Sequence, residues 1–459
     1  MRGFLIAGPA SGVGKTTVSL AIAAGLRARG LKVQAFKCGP DFLDTGHLSA
    51  VTSRPARNLD GWMLDAESNR AVFEQASADA DVAVVEGMMG LFDGISGQGE
   101  KGSAAEIGKL LSLPVILVVD TSKSARSIAA VIRGFEMFDL ELRFAGVVLN
   151  GVAGEGHYRL LADAITANCS MPILGWLPRE HAVHIPERHL GLHTSDEIDW
   201  TEKGRALCDL AERQLNLNLL FAPKSELPKN KNRGAVAKEY PRVTIGIARD
   251  EAFCFYYQDN LDLLERAGAK LISFSPLRNT HLPKDLDGLY LGGGYPELYA
   301  ERLSSNETLA RELREFAASG RPVYAECGGM MYLGERLRTQ DGRFYTMAGL
   351  LPLKTEMTGK LVRFGYVEVE LMHDCLLGSK GTVLRGHSFH HSQCSATGDM
   401  PAAFEARYTL SGKTSPEGYL YGNVLASYVH LHFRGDPAIA ERFVEFAGRT
   451  PQNSAEEVQ

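Results

Sequence analysis

The chain has 459 residues, which is too long for one ordinary hydrophobic core and indicates two or three domains. Hydrophobic residues make up 45% of the chain and charged residues 23%, a composition that is typical of globular proteins and excludes wholesale disorder. The formal net charge of −6 gives no support to a nucleic-acid or anionic-membrane partner, so we expect small-molecule ligands.

The first 220 residues alternate short apolar runs with longer helical patterns. The opening run GFLIAG is too short for a signal peptide or a membrane span, and we interpret it as a buried strand of a cytoplasmic protein. The other predicted strands are KVQAFK, DVAVVEG, PVILVVD, FAGVVLN and PILGWLP, and a helix is predicted over 16–29. Apolar strands separated by helices predict a doubly wound parallel sheet over residues 1–220.

A second alternation follows a polar stretch that is rich in Lys and Pro. This stretch, residues 221–240, is interpreted as an interdomain linker. The strands predicted after it are RVTIGIA, KLISFS, GLYLGGG and PVYAEC, with helices over 260–267 and 307–318. They predict a second doubly wound α/β domain over residues 241–450, which is followed by a polar tail over 451–459.

A glycine-rich loop, GPASGVGKTT, connects the first strand to the first helix. Backbone N–H groups and a helix N-terminus in this setting can hold phosphate, and the loop is a P-loop variant that is one residue longer than the regular spacing. Lys15 is predicted to reach the β and γ phosphates of ATP, and the hydroxyl of Thr16 to ligate Mg²⁺. The predicted ATP-binding residues of the loop are Gly12, Gly14, Lys15, Thr16 and Thr17.

Polar residues follow three of the predicted strands of the first domain. Asp41 and Glu86 are candidate metal ligands together with Thr16, while Asp44 and Asp93 are candidates for the site where an acyl phosphate forms. Asn150 ends the strand FAGVVLN and is a candidate contact to the adenine of ATP. Helix caps and turns are the alternative roles for these side chains.

In the second domain, a single cysteine follows the apolar run PVYAE. Cys327 is followed by Gly328 and Gly329, and a strand-to-helix turn with small neighbours is typical of a nucleophile elbow. A thiol needs a base or a helix N-terminus to become a good nucleophile, and His430, at the end of another apolar run, is the candidate base. The glycine turn of LGGGYPE could supply N–H donors to an oxyanion.

Eight motifs carry a family resemblance, in order and across nearly the whole chain. They are AGPASGVGKTT, FKCGPDFLDTGHL, EGMMGLFDG, ERHLGL, LGGGYPE, AECGGMMYL, RGHSFHHS and SYVHLHF. Together they resemble the cobyrinic acid a,c-diamide synthase family. The resemblance implies a dethiobiotin-synthetase-like ATP domain, followed by a class I glutamine amidotransferase-like domain in which Cys327 is the glutaminase nucleophile and His430 its base.

The same resemblance implies the reaction and its partners. The enzyme would use ATP, Mg²⁺ and L-glutamine to amidate the a and c side chains of a corrin tetrapyrrole acid. From the charge of the chain we expect no nucleic-acid or membrane partner, and a homodimer is left open. Triad glutaminases commonly carry a glutamate two residues after the histidine. Here that position is His432, which is a candidate replacement or a packing residue.

Several alternatives remain open at this point. Within the family, the substrate could be hydrogenobyrinate or nickel sirohydrochlorin, and cobyric acid synthase is the nearest different enzyme. A different class is a partitioning-type ATPase fused to an inert amidotransferase-like module. Ala10 occupies the position of the extra signature lysine of the partitioning ATPases, which argues against this last reading.

Overall fold

The computed structural model describes residues 2–179, 183, 187–188, 191–192, 194–218 and 243–449. The chain divides into two compact units, Met1–Arg233 and Gly234–Gln459. The predicted linker over 221–240 and the predicted tail over 451–459 lie outside the described residues, as do two residues of the ERHLGL motif. No helix among the described residues is long and apolar enough to cross a membrane.

The first unit is built from alternating strands and helices. In chain order they are β1 (Arg2–Ala7), α1 (Lys15–Ala28), β2 (Val33–Cys38), α2 (Leu43–Thr52), β3 (Arg57–Leu59), α3 (Ala66–Ala76), β4 (Val82–Glu86), α4 (Ala104–Leu110), β5 (Val115–Asp120), α5 (Ser127–Phe138), β6 (Phe144–Val152), α6 (Glu155–Asn168), β7 (Ile173–Pro178), β8 (Glu187–Arg188), β9 (Gly191–Leu192) and α7 (Trp200–Gln214). The strands predicted for this half of the chain are confirmed.

Seven strands of the described part of this unit form one parallel sheet in the order β3-β2-β4-β1-β5-β6-β7. The strand β4 is buried along its whole length, which explains its continuous apolar sequence. In this order, the strands β2, β3 and β4 lie on one side of β1, and the later strands β5, β6 and β7 lie on its other side. The direction of strand addition therefore reverses at β1. Ligands of open α/β sheets bind at the carboxyl ends of the strands at such a point.

The second unit begins as a parallel α/β fold and continues as an antiparallel one. Its elements are β10 (Val243–Ala248), α8 (Gln258–Arg266), β11 (Ala269–Phe274), β12 (Gly288–Leu291), α9 (Ala300–Ser305), α10 (Glu307–Ala318), β13 (Val323–Glu326), α11 (Gly328–Leu333), β14 (Arg336–Arg338), β15 (Phe344–Thr346), β16 (Leu353–Met357), β17 (Arg363–Leu371), β18 (Val383–His390), β19 (Ser392–Ala396), β20 (Ala402–Tyr408), β21 (Thr414–Tyr421), β22 (Val424–Ser427), β23 (His430–Leu431) and α12 (Ala438–Ala447).

Ten of its described strands form a mixed sheet in the order β11-β10-β12-β13-β22-β21-β20-β17-β18-β23. The strands from β11 to β22 are parallel, and those from β22 to β23 pair antiparallel. A further sheet has the order β15-β14-β16-β19. The sequence predicted the parallel half with its helices α8 and α10, but not the antiparallel half.

The helix α10 shows why the parallel half could be predicted. The side chain of Asn306 caps it by accepting a hydrogen bond from the N–H of Leu309. Leu309, Leu313 and Phe316 recur at helical spacing and are buried against the sheet. Each such side chain contributes about 1.5–3 kcal/mol of burial free energy, which fixes the face that the helix presents to the core.

Candidate active sites

The predicted phosphate loop, residues 8–14, connects β1 to α1. Gly12 and Gly14 have φ angles of 78° and 97°, in the left-handed region that favours glycine. A Cβ atom on Gly14 would lie 2.2 Å from Nδ2 of Asn150, and that amide group donates a hydrogen bond to the carbonyl of Val13 at 3.0 Å. Asn150 therefore holds the backbone of the loop, a contact that its predicted role toward adenine did not include.

Lys15 begins α1, and its side chain is buried inside the loop. Its Nζ atom donates hydrogen bonds to the carbonyls of Ala10 at 2.8 Å and Met89 at 2.5 Å. Burial, and next the nearby ammonium of Lys37, lower the pKa of Lys15 to about 8. An ammonium held inside a glycine loop at the start of a helix can bind phosphate oxygens.

A buried network lies beside the loop, at the carboxyl ends of β2 and β4. Nζ of Lys37 contacts Oδ2 of Asp44 at 2.5 Å and Oε1 of Glu86 at 2.8 Å. The hydroxyl of Thr16 donates to the same Oε1 at 2.7 Å and lies 3.4 Å from Oδ1 of Asp44. The structure thus brings together three predicted residues, and Lys37 completes the group.

Sequence reasoning missed Lys37, although one signal was available. Lysine is almost never fully buried unless it is paired, and Lys37 lies inside an otherwise buried strand. Burial opposes its charge, but the carboxylates of Asp44 and Glu86 outweigh burial and raise the pKa of Lys37 well above its ordinary value. Burial raises the pKa of Glu86 to about 7.

The two other predicted carboxylates bond to the backbone of their own loops. Oδ1 of Asp41 accepts a hydrogen bond from the N–H of Asp44 at 2.9 Å, and burial, then Asp44, raise the pKa of Asp41 to about 6. The carboxylate of Asp93 is exposed and accepts from the N–H of Gly90 at 2.7 Å. Within the described residues there is no preformed group of three or more His, Cys, Asp or Glu side chains that could hold a metal ion.

The predicted elbow is present in the second unit, where Cys327 lies between β13 and α11. Its φ of 46° and ψ of −103° form a strained conformation for a residue with a side chain, and its N–H donates to the carbonyl of Ser427 at 2.7 Å. A Cβ atom on Gly329 would lie 2.3 Å from the carbonyl oxygen of Leu291. The strand-to-helix turn and its requirement for small neighbours agree with a nucleophile elbow.

His430 follows β22, the strand that pairs with β13 beside the cysteine. Gly293 packs against its ring, because a Cβ atom there would lie 2.5 Å from Cε1 of the imidazole. Burial, and next Glu297, raise the pKa of the Cys327 thiol above its ordinary value. A thiol in such surroundings requires a base, and the histidine at the same edge of the sheet is the side chain suited to that task.

An acidic side chain that the sequence analysis missed lies next to His430. Oε2 of Glu326, the residue before the cysteine, lies 3.5 Å from Nδ1 of His430. His432 lies beyond the end of β23, with its ring centroid 4.4 Å from that of Tyr257 and its Nδ1 accepting from the N–H of Arg434. The structure therefore places the carboxylate of Glu326 beside Nδ1 of His430, whereas the ring of His432 packs against Tyr257. A charged residue at the end of an apolar strand was the available signal.

A cavity of about 460 Å³ lies between the antiparallel strands and the end of β22. Its lining includes Arg363, Glu417, Cys394 and Tyr428. Tyr428 directly follows Ser427, whose carbonyl holds the N–H of Cys327, so one wall of the cavity is next to the elbow. A cavity that combines one carboxylate and one guanidinium can hold an amino acid in its zwitterionic form.

Comparison with known proteins assigns one known domain to each of the two units. Residues 4–192 match the CobQ/CobB/MinD/ParA nucleotide binding domain, and residues 244–438 match the CobB/CobQ-like glutamine amidotransferase domain. These two domains define the class of protein, which is a glutamine-dependent amide ligase. Its nucleotide-binding domain implies the use of ATP. The predicted fold of both domains is thereby confirmed, and an inert amidotransferase-like module on a partitioning ATPase is disfavoured.

Three relatives named cobyrinate a,c-diamide synthase cover almost the whole chain. The relative from Syntrophotalea carbinolica is 46% identical over 96% of this chain and 98% of its own length. A relative from Dehalococcoides mccartyi is 42% identical over 96% and 97%, and one from Salmonella typhimurium is 41% identical over 97% and 98%. The chain belongs to the cobyrinate a,c-diamide synthase family, as the motifs predicted.

Proposed function

We propose that the protein catalyses the ATP-dependent amidation of the a and c carboxylates of cobyrinate, with ammonia from glutamine hydrolysis, in cobalamin biosynthesis. The observation that carries the proposal is that one chain combines a phosphate loop beside two buried lysines with a cysteine elbow whose preceding residue, Glu326, lies 3.5 Å from a buried histidine. Relatives named cobyrinate a,c-diamide synthase match this chain over nearly their whole length.

The first half of the reaction activates the carboxylate of the substrate. Ammonia does not displace oxide from a carboxylate, whose charge repels nucleophiles. In the proposed step a carboxylate oxygen attacks the γ-phosphorus of ATP, the bond to the leaving ADP oxygen breaks, and an acyl phosphate forms. Lys15 binds the β and γ phosphates, and Lys37 holds its charge beside the transferred group. Ammonia then attacks the acyl carbon, and phosphate leaves.

The oxygen atoms around Thr16 fit Mg²⁺. The hydroxyl of Thr16 lies 2.7 Å from one oxygen of Glu86, and the other oxygen, Oε2, is buried and has no hydrogen-bond partner among the described residues. Hydroxyl and carboxylate oxygens are the ligands that Mg²⁺ prefers. Thr16 and Glu86 would hold the ion, with Asp41 as a further ligand. The ion would neutralise part of the charge of the phosphates. Asp44 and Asp93 stay our candidates for the side where the acyl phosphate forms.

The second half of the reaction supplies ammonia. His430 accepts the thiol proton of Cys327, and the sulfur attacks the amide carbon of glutamine. The C–N bond breaks with the return of the proton to nitrogen, ammonia leaves, and water hydrolyses the thioester to glutamate and the free thiol. Gly293 packs against the ring of His430, and Gly294 packs against the Gly328 that follows the cysteine, so the N–H groups of this glycine turn are our candidate donors to the oxyanion.

The cavity beside Tyr428 is our proposed site for the α-substituents of glutamine. The carboxylate of Glu417 is anchored by the N–H of Tyr428 at 3.0 Å and the hydroxyl of Ser427 at 3.2 Å. It can accept hydrogen bonds from an α-ammonium group. The exposed guanidinium of Arg363 stacks over the ring of Tyr408 at 4.4 Å, and this places it to bind the α-carboxylate.

Substitution Glu417→Gln is expected to raise KM for L-glutamine about 10- to 100-fold, because a hydrogen bond to a charged group contributes about 1.5–3 kcal/mol. The measurement is glutaminase kinetics with L-glutamine and with glutaramate, which lacks the α-amino group. The variant should lose most of the preference for glutamine, whereas Glu405→Gln, a change at an exposed glutamate of β20, should keep it. An unchanged preference in Glu417→Gln would show that glutamine does not bind in this cavity.

The substrate is tested by supplying the purified protein with ATP, Mg²⁺, glutamine and a panel of tetrapyrrole acids. The panel contains cobyrinate, hydrogenobyrinate, nickel sirohydrochlorin and the a,c-diamide on which a cobyric acid synthase would act. Mass spectrometry counts the amide groups that each acid gains. Two amidations of cobyrinate at the highest kcat/KM are expected, and a stronger preference for another acid would reassign the substrate within the family.

A further inference from the structure

We infer that Glu326 is the positioning residue of the glutaminase site, in the role that a glutamate two residues after the histidine has in other triad glutaminases. The inference rests on the proposed hydrolysis of glutamine by Cys327 and His430. Its basis is an arrangement of four groups around one buried carboxylate, which comes from the residue directly before the nucleophile. The side chain of Glu326 is only 1% exposed.

Three donors fix this carboxylate. The hydroxyl of Tyr324 donates to Oε1 at 2.7 Å, and the backbone N–H of Leu431 donates to the same oxygen at 3.2 Å. The hydroxyl of Tyr290 donates to Oε2 at 3.0 Å. The strands that carry these donors, β12, β13 and β23, belong to one sheet, so the position of the carboxylate is determined by the fold itself.

The fourth group is the imidazole of His430, whose Nδ1 atom lies 3.5 Å from Oε2. A carboxylate at this ring nitrogen favours the tautomer with the proton on Nδ1, which leaves the lone pair of Nε2 available as a base. It also stabilises the imidazolium that forms when the cysteine loses its proton. Because Glu326 and Leu431 each adjoin a catalytic residue in sequence, the same contacts hold the base and the elbow together.

The buried histidine that follows is less suited to this role. Burial lowers the pKa of His432 to about 3, so its ring is neutral at neutral pH and brings no negative charge to His430. Its ring packs against Tyr257, which in turn contacts Nδ1 of His387 through its hydroxyl at 3.0 Å. His387 stacks on His430 with ring centroids 5.0 Å apart. These rings pack around the base, whereas Glu326 is the acid beside it.

The test is Glu326→Gln, a change that keeps the shape and removes the charge. We expect kcat for glutaminase to fall about 10²-fold or more, because the corresponding loss in a Ser-His-Asp triad is about 10⁴-fold. KM for glutamine should change less than threefold, and amidation with ammonium chloride should stay within twofold of the wild type. The rate of Cys327 alkylation by iodoacetamide should require a higher pH. Glu326→Asp should recover part of kcat.

Two variants separate positioning from a structural role. Tyr324→Phe removes one donor but keeps the carboxylate, so its kcat should fall less than tenfold with an unchanged pH profile of alkylation. His432→Gln should also leave this profile unchanged. Glutaminase of Glu326→Gln within threefold of the wild type would overturn the inference, as would an equal loss in Tyr324→Phe or a shifted profile in His432→Gln alone. A wild-type protein without glutaminase activity would instead refute the proposed function.

Discussion

Cys327→Ala is expected to abolish glutamine-dependent amidation while amidation with ammonium salts continues at a rate close to that of the wild type. The substitution removes the nucleophile that releases ammonia and leaves the phosphate loop unchanged, since the two lie in different units of the chain. Removal of a catalytic nucleophile leaves only the residual contribution of oxyanion donors and binding, so a loss of at least about 10³-fold is expected for glutamine. The readout is amide formation on cobyrinate with each nitrogen donor.

Cys375→Ala is the matched control for this experiment. Cys375 belongs to the same unit and is partly buried, but it lies in a tight turn where its N–H bonds to the carbonyl of Gly378. Both donors should support normal amidation in this variant. If Cys327→Ala loses both donors to the same extent while it remains folded, the scheme of two separate sites is wrong.

The motifs that could be recognised in the sequence are those whose geometry is local. The phosphate loop and the elbow are each a strand, a glycine-containing turn and a helix within a few residues, so residue types alone indicate how the backbone bends. The left-handed conformation of Gly14 and the contact of Gly329 with Leu291 explain why glycine is required there. The parallel strands could be predicted for a related reason, because they are buried on both faces and have continuous apolar sequences.

The residues that were missed act through contacts between distant segments. Lys37 meets Glu86 across 49 positions of the chain, and the tyrosine partner Tyr290 meets Glu326 across 36. The register of neighbouring strands determines such pairs, and residue spacing does not reveal it. The antiparallel half of the second sheet was missed for a similar reason, since strands such as β21 are mostly half-buried and exposed and lack an apolar run.

Lys37→Met is the second substitution for which a large effect is expected. Lys37 contacts both Asp44 and Glu86, and its raised pKa keeps it charged at any assay pH near neutrality. Methionine keeps most of the length of the side chain but removes this charge beside the phosphate loop. Amidation should fall about 10²- to 10³-fold with glutamine and with ammonium alike, because a transition-state charge contact is lost. Alkylation of Cys327 should be unchanged, because the elbow lies in the other unit.

The same variant should be less stable, and this effect must be separated from the chemical one. Removal of one partner from a buried ion pair costs about 3–5 kcal/mol of unfolding free energy, since two carboxylates are then left without their cation. Thermal unfolding with and without ATP measures this loss, and assays are carried out well below the transition. Lys32→Met, at an exposed lysine that precedes the same strand, should keep both activity and stability. Near-normal amidation by folded Lys37→Met would show that the carboxylate is activated without this lysine.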